Sequence, residues 1–217
     1  MLSKQFLPCR LMVFTALDIV DGEGYIYRMS MAYVNQVLDL IIATITADSI
    51  PIDNLTVEKI TSSLSTDDRP ECIASILNFF STTPTPPYSL SQTSLLRHYG
   101  LRTLQTHPSA QPTPAFLQSW RLSLPSILPN TTLDLSLLRG ECFHPTHKTI
   151  QYLPSRELAL APERRFAQLF AVKEKWEMGE ILPFLEACVE GGSGWEKRAE
   201  RECQKWARVR AGQVMKK

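Results

Sequence analysis

The stretch 162–186 constrains this chain most. Phe166, Leu169 and Phe170 stand at i, i+3 and i+4 and make one apolar helix face, which Trp176 closes. Ile181, Leu182 and Leu185 repeat the pattern at once in a second short segment. Pro162 suits the first turn of the first helix, where a missing N–H costs nothing. Two short amphipathic helices in one run need no catalytic residue type to explain them. They predict a small helical domain that docks onto something.

The rest of the chain can support such a domain. With 217 residues, 44% hydrophobic and 21% charged, it can bury one large core or two to three small ones. The net charge of +1 hides an asymmetry. Residues 1–90 hold 5 Lys/Arg against 10 Asp/Glu, whereas residues 195–217 hold 8 Lys/Arg against 3 Glu. A basic end on a near-neutral chain suits a phosphate-bearing or acidic partner, and a solvated helix face is the plain alternative. Five widely spaced cysteines (Cys9, Cys72, Cys142, Cys188 and Cys203) without a Cys-x-x-Cys fit reduced thiols of a cytosolic or nuclear protein. Lys4, Arg10 and Asp18 interrupt the mildly apolar start, so no signal peptide is expected. Leu38 to Ile45 is too short to span a bilayer, and no membrane partner is expected.

Pro- and Gly-rich breaks punctuate the chain. Residues 81–87 form a Pro/Thr segment that cannot be helical, residues 107–114 carry three prolines, and Gly191, Gly192 and Gly194 mark a flexible turn. Between them the periodicity is mostly helical. Ser30 can cap a helix reaching about Thr46, with Tyr33, Val34, Val37, Leu38, Ile41 and Ile42 on one broad face. Asp53 or Asn54 can open a helix bearing Leu55, Ile60 and Leu64. Further helices are expected over 69–80, 91–106, 113–124 and 133–138, with short strands at 25–29 and 142–153. The expected class is mainly α with short β-hairpins, in clusters of about three helices.

Catalytic and metal chemistry find little purchase. Cys142, His144 and His147 lie within six residues, but zinc needs four ligands and no second pair stands nearby, so a β-hairpin is expected there and no metal. Neither a Gly-x-Ser-x-Gly nor a Gly-x-x-x-x-Gly-Lys occurs. The expected protein is not an enzyme and needs no cofactor. The binding candidate is the basic end. On a helix from Trp195 to about Arg208, Trp195, Ala199, Cys203 and Trp206 share one face, while Lys197, Arg201, Lys205 and Arg208 share another. Those cations recur about every 6 Å along the axis. Arg210 extends them, Lys173 and Lys175 are expected to stand exposed beside Trp176, and intrahelical pairing with Glu196, Glu200 and Glu202 would neutralise part of the stripe.

Particular residues carry a family resemblance. Arg165 with Phe166, Leu169 with Phe170, Lys173 through Trp176, Ile181, and Pro183 with Phe184 resemble the C-terminal part of the Dcc-type sister chromatid cohesion proteins, subunits of an alternative replication factor C clamp loader. Phe116 through Trp120, Leu124 with Pro125, and residues 135–140 resemble the family's middle segment. Gly24, Tyr25, Tyr33, Val37 and Leu38 resemble the entry to its first helical module. The resemblance implies tandem winged-helix modules at 8–87, 88–160 and 161–217. The last is expected to lack its final wing, because the chain stops at Lys217. The family's β-rich N-terminal domain, which binds the loader's large subunit and its small partner, is expected to find little room before Gly24.

The resemblance also implies a function. By that resemblance the chain would be a non-catalytic subunit, in the nucleus, that tethers the PCNA loader to the catalytic region of DNA polymerase epsilon and to DNA during replication and sister chromatid cohesion. PCNA would be met indirectly, and DNA non-specifically through Lys and Arg. The implied contact residues are Lys173, Lys175, Lys197, Arg201, Lys205, Arg208 and Arg210. Two other readings stay open: a winged-helix transcription regulator, for which the candidate helix offers only Gln204 as a base-reading amide, and a protein-only scaffold.

Overall fold

A computed structural model describes residues 16–20, 26–62, 70–128, 131–189 and 192–217. Tyr25, Leu64 and Cys9, on which some of the expectations above rest, lie outside the described residues. Helices dominate and the sheets are small and antiparallel, so the chain is mainly α with short β elements. Its described residues divide into two compact units, one within 16–98 together with residues from 124–132, the other within 99–123 and 133–217.

The first unit begins with a two-stranded sheet, β1 (Ala16–Val20) against β2 (Ile26–Ser30). Helix α1 (Met31–Ala47) starts where Ser30, in extended backbone, accepts a hydrogen bond from the Tyr33 N–H at 3.3 Å. Its buried residues Val34, Val37, Leu38, Ile41, Ile42 and Ile45 pack against α2 (Val57–Thr61) and α3 (Pro70–Phe79), which contribute Ile60, Ile73, Ile76 and Leu77.

The start of α2 differs from the sequence expectation. Thr56, not Asp53 or Asn54, caps it, accepting from the Lys59 N–H at 3.4 Å. Leu55 is held extended because it exchanges two backbone hydrogen bonds with Tyr88, at 2.9 and 2.7 Å. A helix cannot begin before that pair ends. The Pro/Thr segment 81–87 is non-helical and largely exposed, and it is closed at its base by Ser81 bridging Leu90.

In the second unit, residues 99–106 of helix α4 (Gln92–Thr106) present Gly100 to α5 (Thr113–Ser123). Phe116 and Trp120 of α5 are fully buried. A Cβ at Gly100 would lie 2.7 Å from Trp120 Cε2 and 3.0 Å from a Leu138 methyl. Gly100→Ala is therefore expected to cost about 1–3 kcal/mol of stability by overpacking, against the small gain its helix propensity alone would give. Urea unfolding checks this; a stabilised variant would contradict it. Strand β3 (Gln111–Pro112) pairs with β5 (Thr149–Tyr152), which also pairs with β4 (Cys142–Phe143), so the Cys/His segment is a hairpin as expected.

The C-terminal part of this unit runs α6 (Pro162–Val172), β6 (Lys175–Glu177), α7 (Met178–Leu185), α8 (Trp195–Trp206), β7 (Ala207–Arg210) and β8 (Gln213–Lys216). The order helix, strand, helix, helix, strand, strand is compatible with a winged helix. Phe166, Leu169, Phe170, Trp176, Ile181, Phe184, Leu185, Ala199, Cys203 and Val214 form its core. Phe143 and Leu158 belong to the same core, so packing continues across residue 160.

Two details depart from the sequence reading. Trp176 sits in a strand, not at a helix end. Its indole N–H donates to the Leu169 and Lys173 carbonyls at 3.2 and 2.9 Å, which satisfies the last turn of α6 from outside. The chain end is also a strand pair, in place of the shortened module and longer helix expected. Ala211 and Gly212 have φ of +49° and +77°, the two-residue turn that matches the twist of a hairpin, and α8 stops at Trp206.

Arg165 is the unit's largest surprise. It is fully buried among the apolar face of α6. Its guanidinium donates to the main-chain carbonyls of Ala159 (2.7 Å), Ser155 (2.7 Å), Leu158 (3.1 Å) and Phe184. No carboxylate is among these partners. Burial pushes its pKa below the usual arginine range.

Candidate nucleic-acid interface

The basic end is built on α8. Gly194, at φ +78°, opens the helix, and Arg198 folds back so that its guanidinium donates to Ser193 O at 3.2 Å and Gly192 O at 3.5 Å. Ala199 and Cys203 are fully buried, with Trp195 and Trp206 packed beside them. The apolar face read from the sequence is therefore the face that packs. Burial pushes the Cys203 thiol up to about 12, so it is a neutral packing group and no nucleophile.

Lys197, Arg201 and Lys205 are exposed. Among the described residues none of them closes an ion pair with Glu196, Glu200 or Glu202. Glu202 instead accepts from the Trp206 indole at 2.8 Å, and the Lys205 ammonium lies 5.2 Å from the centre of that ring. The Lys217 ammonium donates to the Gln204 carbonyl at 3.3 Å and to that of Lys205, capping the last turn of α8.

Arg208 and Arg210 do not continue the helical stripe. They stand on β7, and the register gives them a different setting. The sheet runs β6–β8–β7. Lys175 and Arg208 both pair with Met215, and Glu177 and Arg210 both pair with Gln213. Residues directly opposite in a sheet share a face, and alternate residues along a strand share it too. Lys175, Arg208 and Arg210 therefore converge on one exposed sheet face, with Lys175 and Arg208 about 10 Å apart across the central strand. Glu177 lies on that face as well and accepts from the Gln213 amide at 3.4 Å. The opposite face carries Trp176 and Val214 into the core.

Lys173 leaves the set. The expectation that it stands exposed beside Lys175 is corrected, because only 18% of its side chain is exposed. Its ammonium binds Glu180 Oε2 at 2.5 Å and lies 5.3 Å from the centre of the Trp176 ring. The other oxygen of Glu180 accepts from the His144 backbone N–H at 2.7 Å, so the pair ties α6 and α7 to the β4–β5 hairpin. The cations thus form two groups, Lys197–Arg201–Lys205 on the helix and Lys175–Arg208–Arg210 on the sheet. Neither has the acid–base or nucleophile geometry of a catalytic site. Both can hold phosphate or carboxylate oxygens. Among the described residues no cluster of His, Cys, Asp and Glu could hold a metal, and no helix is long and apolar enough to cross a membrane.

A family model described as sister chromatid cohesion protein Dcc1 matches residues 11–185. The chain belongs to the Dcc1 family. One relative, sister chromatid cohesion protein DCC1 of Saccharomyces cerevisiae (strain ATCC 204508 / S288c), is 26% identical over 177 residues, covering 76% of this chain and 46% of that protein. A second, probable sister chromatid cohesion protein DCC1 of Dictyostelium discoideum, is 26% identical over 86 residues, 38% of this chain and 23% of its own length. The chain thus spans about half the length of the yeast relative at most. The family match includes Arg165, Trp176 and Lys175 but ends before α8, so five of the six exposed cations lie beyond it.

Proposed function

We propose that this member of a sister chromatid cohesion family acts as a non-catalytic subunit of an alternative replication factor C-like clamp loader. In this reading it works in the nucleus, tethering the PCNA loader to the catalytic region of DNA polymerase epsilon and to DNA. In this reading the large loader subunit and its small partner are further partners of the same subunit. Tandem winged-helix modules would carry the polymerase and DNA contacts. Two weak contacts on one assembly raise effective concentration without new chemistry, which is all a tether requires.

The observation that carries the DNA part is the pair of cationic groups free of intramolecular carboxylate partners among the described residues, one on α8 and one on the β6–β8–β7 sheet. Lysine and arginine without base-reading amides favour backbone contact over sequence reading. The test is fluorescence anisotropy with two unrelated duplexes across a salt series. Equal affinities that fall steeply with salt are expected. A strong preference for one sequence would favour a transcription regulator, and no binding at low salt would favour a protein-only scaffold.

A further inference from the structure

The Pro/Thr loop 81–87 has no part in that reading, and most of it is exposed. It contains two Thr-Pro dipeptides, Thr83-Pro84 and Thr85-Pro86; a third, Thr113-Pro114, opens α5. We propose that Thr85 is the phosphoacceptor of a proline-directed protein kinase, and that the fold withholds Thr83 and Thr113 from the same enzyme.

The three hydroxyls differ in surroundings, not in local sequence. Thr113 Oγ1 is buried. Thr83 is half-buried, and its hydroxyl is knotted into the base of the loop. It donates to the Pro87 carbonyl at 3.1 Å, receives the Ser89 N–H at 3.1 Å and lies 3.0 Å from Ser81 Oγ. Ser81 Oγ in turn donates to the Ser89 carbonyl at 2.7 Å and receives the Ser89 N–H at 2.8 Å. Buried Tyr88 and Leu90 anchor that base. Thr85 stands at the apex. It is exposed, as are Pro84, Pro86 and Pro87 around it, and its hydroxyl has no hydrogen-bond partner among the described residues.

Residues 82–87 form a bent loop. Proline after Thr85 biases that residue toward the extended backbone in which substrate segments bind. Proline at the following position brings no N–H, so an apolar kinase pocket can accept it without stranding a donor. In the transfer, Thr85 Oγ1 attacks the γ-phosphorus of ATP and a new O–P bond forms. The bond from that phosphorus to the β,γ-bridging oxygen breaks, ADP leaves with the electron pair, and the hydroxyl proton passes to the kinase's carboxylate base. Residues 81–90 contain no Lys or Arg, so the new dianion gains no partner within its own loop. It stays exposed as a mark for an arginine-bearing reader, and the fold beneath is unchanged.

The test treats the full chain with ATP and a purified proline-directed kinase and maps phosphate by mass spectrometry. Thr85 is expected to be labelled at least about tenfold faster than Thr83, because Thr83 must first give up its bonds. Thr85→Ala is expected to abolish most of the label. A synthetic peptide of residues 79–91, lacking the anchors, is expected to accept phosphate at both threonines. Label on Thr83 of the folded chain as fast as on Thr85 would overturn the proposal. So would a folded chain that stays unlabelled while the peptide is modified. None of these readouts involves DNA or a polymerase, so they stand apart from the tether.

Discussion

Replacing Arg165 with Ala is expected to cost about 4 kcal/mol of folding stability. The guanidinium, carried on α6, serves four main-chain carbonyls from two other parts of the chain, three in the 155–159 segment and one near the end of α7. Hydrogen bonds to a charged group contribute about 1.5–3 kcal/mol each, and buried groups left unpaired cost about 1–3 kcal/mol more. These contributions do not add fully, and removing one partner from a buried charged cluster costs about 3–5 kcal/mol. Arg165→Lys keeps the charge but offers a point where a fork is required, so it recovers only part of the loss. Urea titration followed by tryptophan emission reads the change, since Trp176 shares this core. A loss below about 1 kcal/mol for Arg165→Ala would show that water replaces the guanidinium and that the buried cluster is not what holds α6 to α7.

The second large effect concerns DNA. Changing Lys175, Arg208 and Arg210 together to Ala is expected to lower affinity for a duplex more than about tenfold at low salt. It should also flatten the salt dependence by about 2–3 units, near 0.9 for each phosphate that is no longer neutralised. Changing Lys197, Arg201 and Lys205 is expected to do about the same, because both groups are exposed and free of carboxylate partners among the described residues. All six side chains are surface groups, so folding should hold in either variant. Unchanged affinity in the sheet variant, with weaker binding in the helix variant, would confine DNA to α8. Lys173→Ala separates the two kinds of lysine. It breaks the bond to Glu180 and is expected to lower stability while leaving the salt slope unchanged.

Much of this is legible in the sequence. Ser30 announces α1 because a hydroxyl before an apolar period can satisfy a helix's first N–H groups. Pro162 announces α6, and the steps of Ala199, Cys203 and Trp206 give the packed face of α8. The family resemblance rests on Arg165 through Phe184, within the stretch that the family model matches. The site is legible only in part. β6, β7 and β8 hold three or four residues each, too few for alternation to stand out from helix. Arg208 and Arg210 therefore look like more helix, and their convergence with Lys175 depends on strand register, which no local pattern encodes. Lys173 and Lys175 look alike in sequence, and only the approach of Glu180 separates them. Arg165 shares a face with Leu169 one turn on, which is a signal of burial, but arginine is so rarely buried that the period alone argues weakly against exposure.

The most direct test of the tether is a pull-down of this chain against the catalytic fragment of DNA polymerase epsilon, with and without added duplex. A variant with Lys205, Arg208 and Arg210 changed to Ala runs beside it. Capture of the polymerase by the native chain, weakened by the triple change, is the predicted result. A folded chain that fails to capture the polymerase under any of these conditions would contradict it.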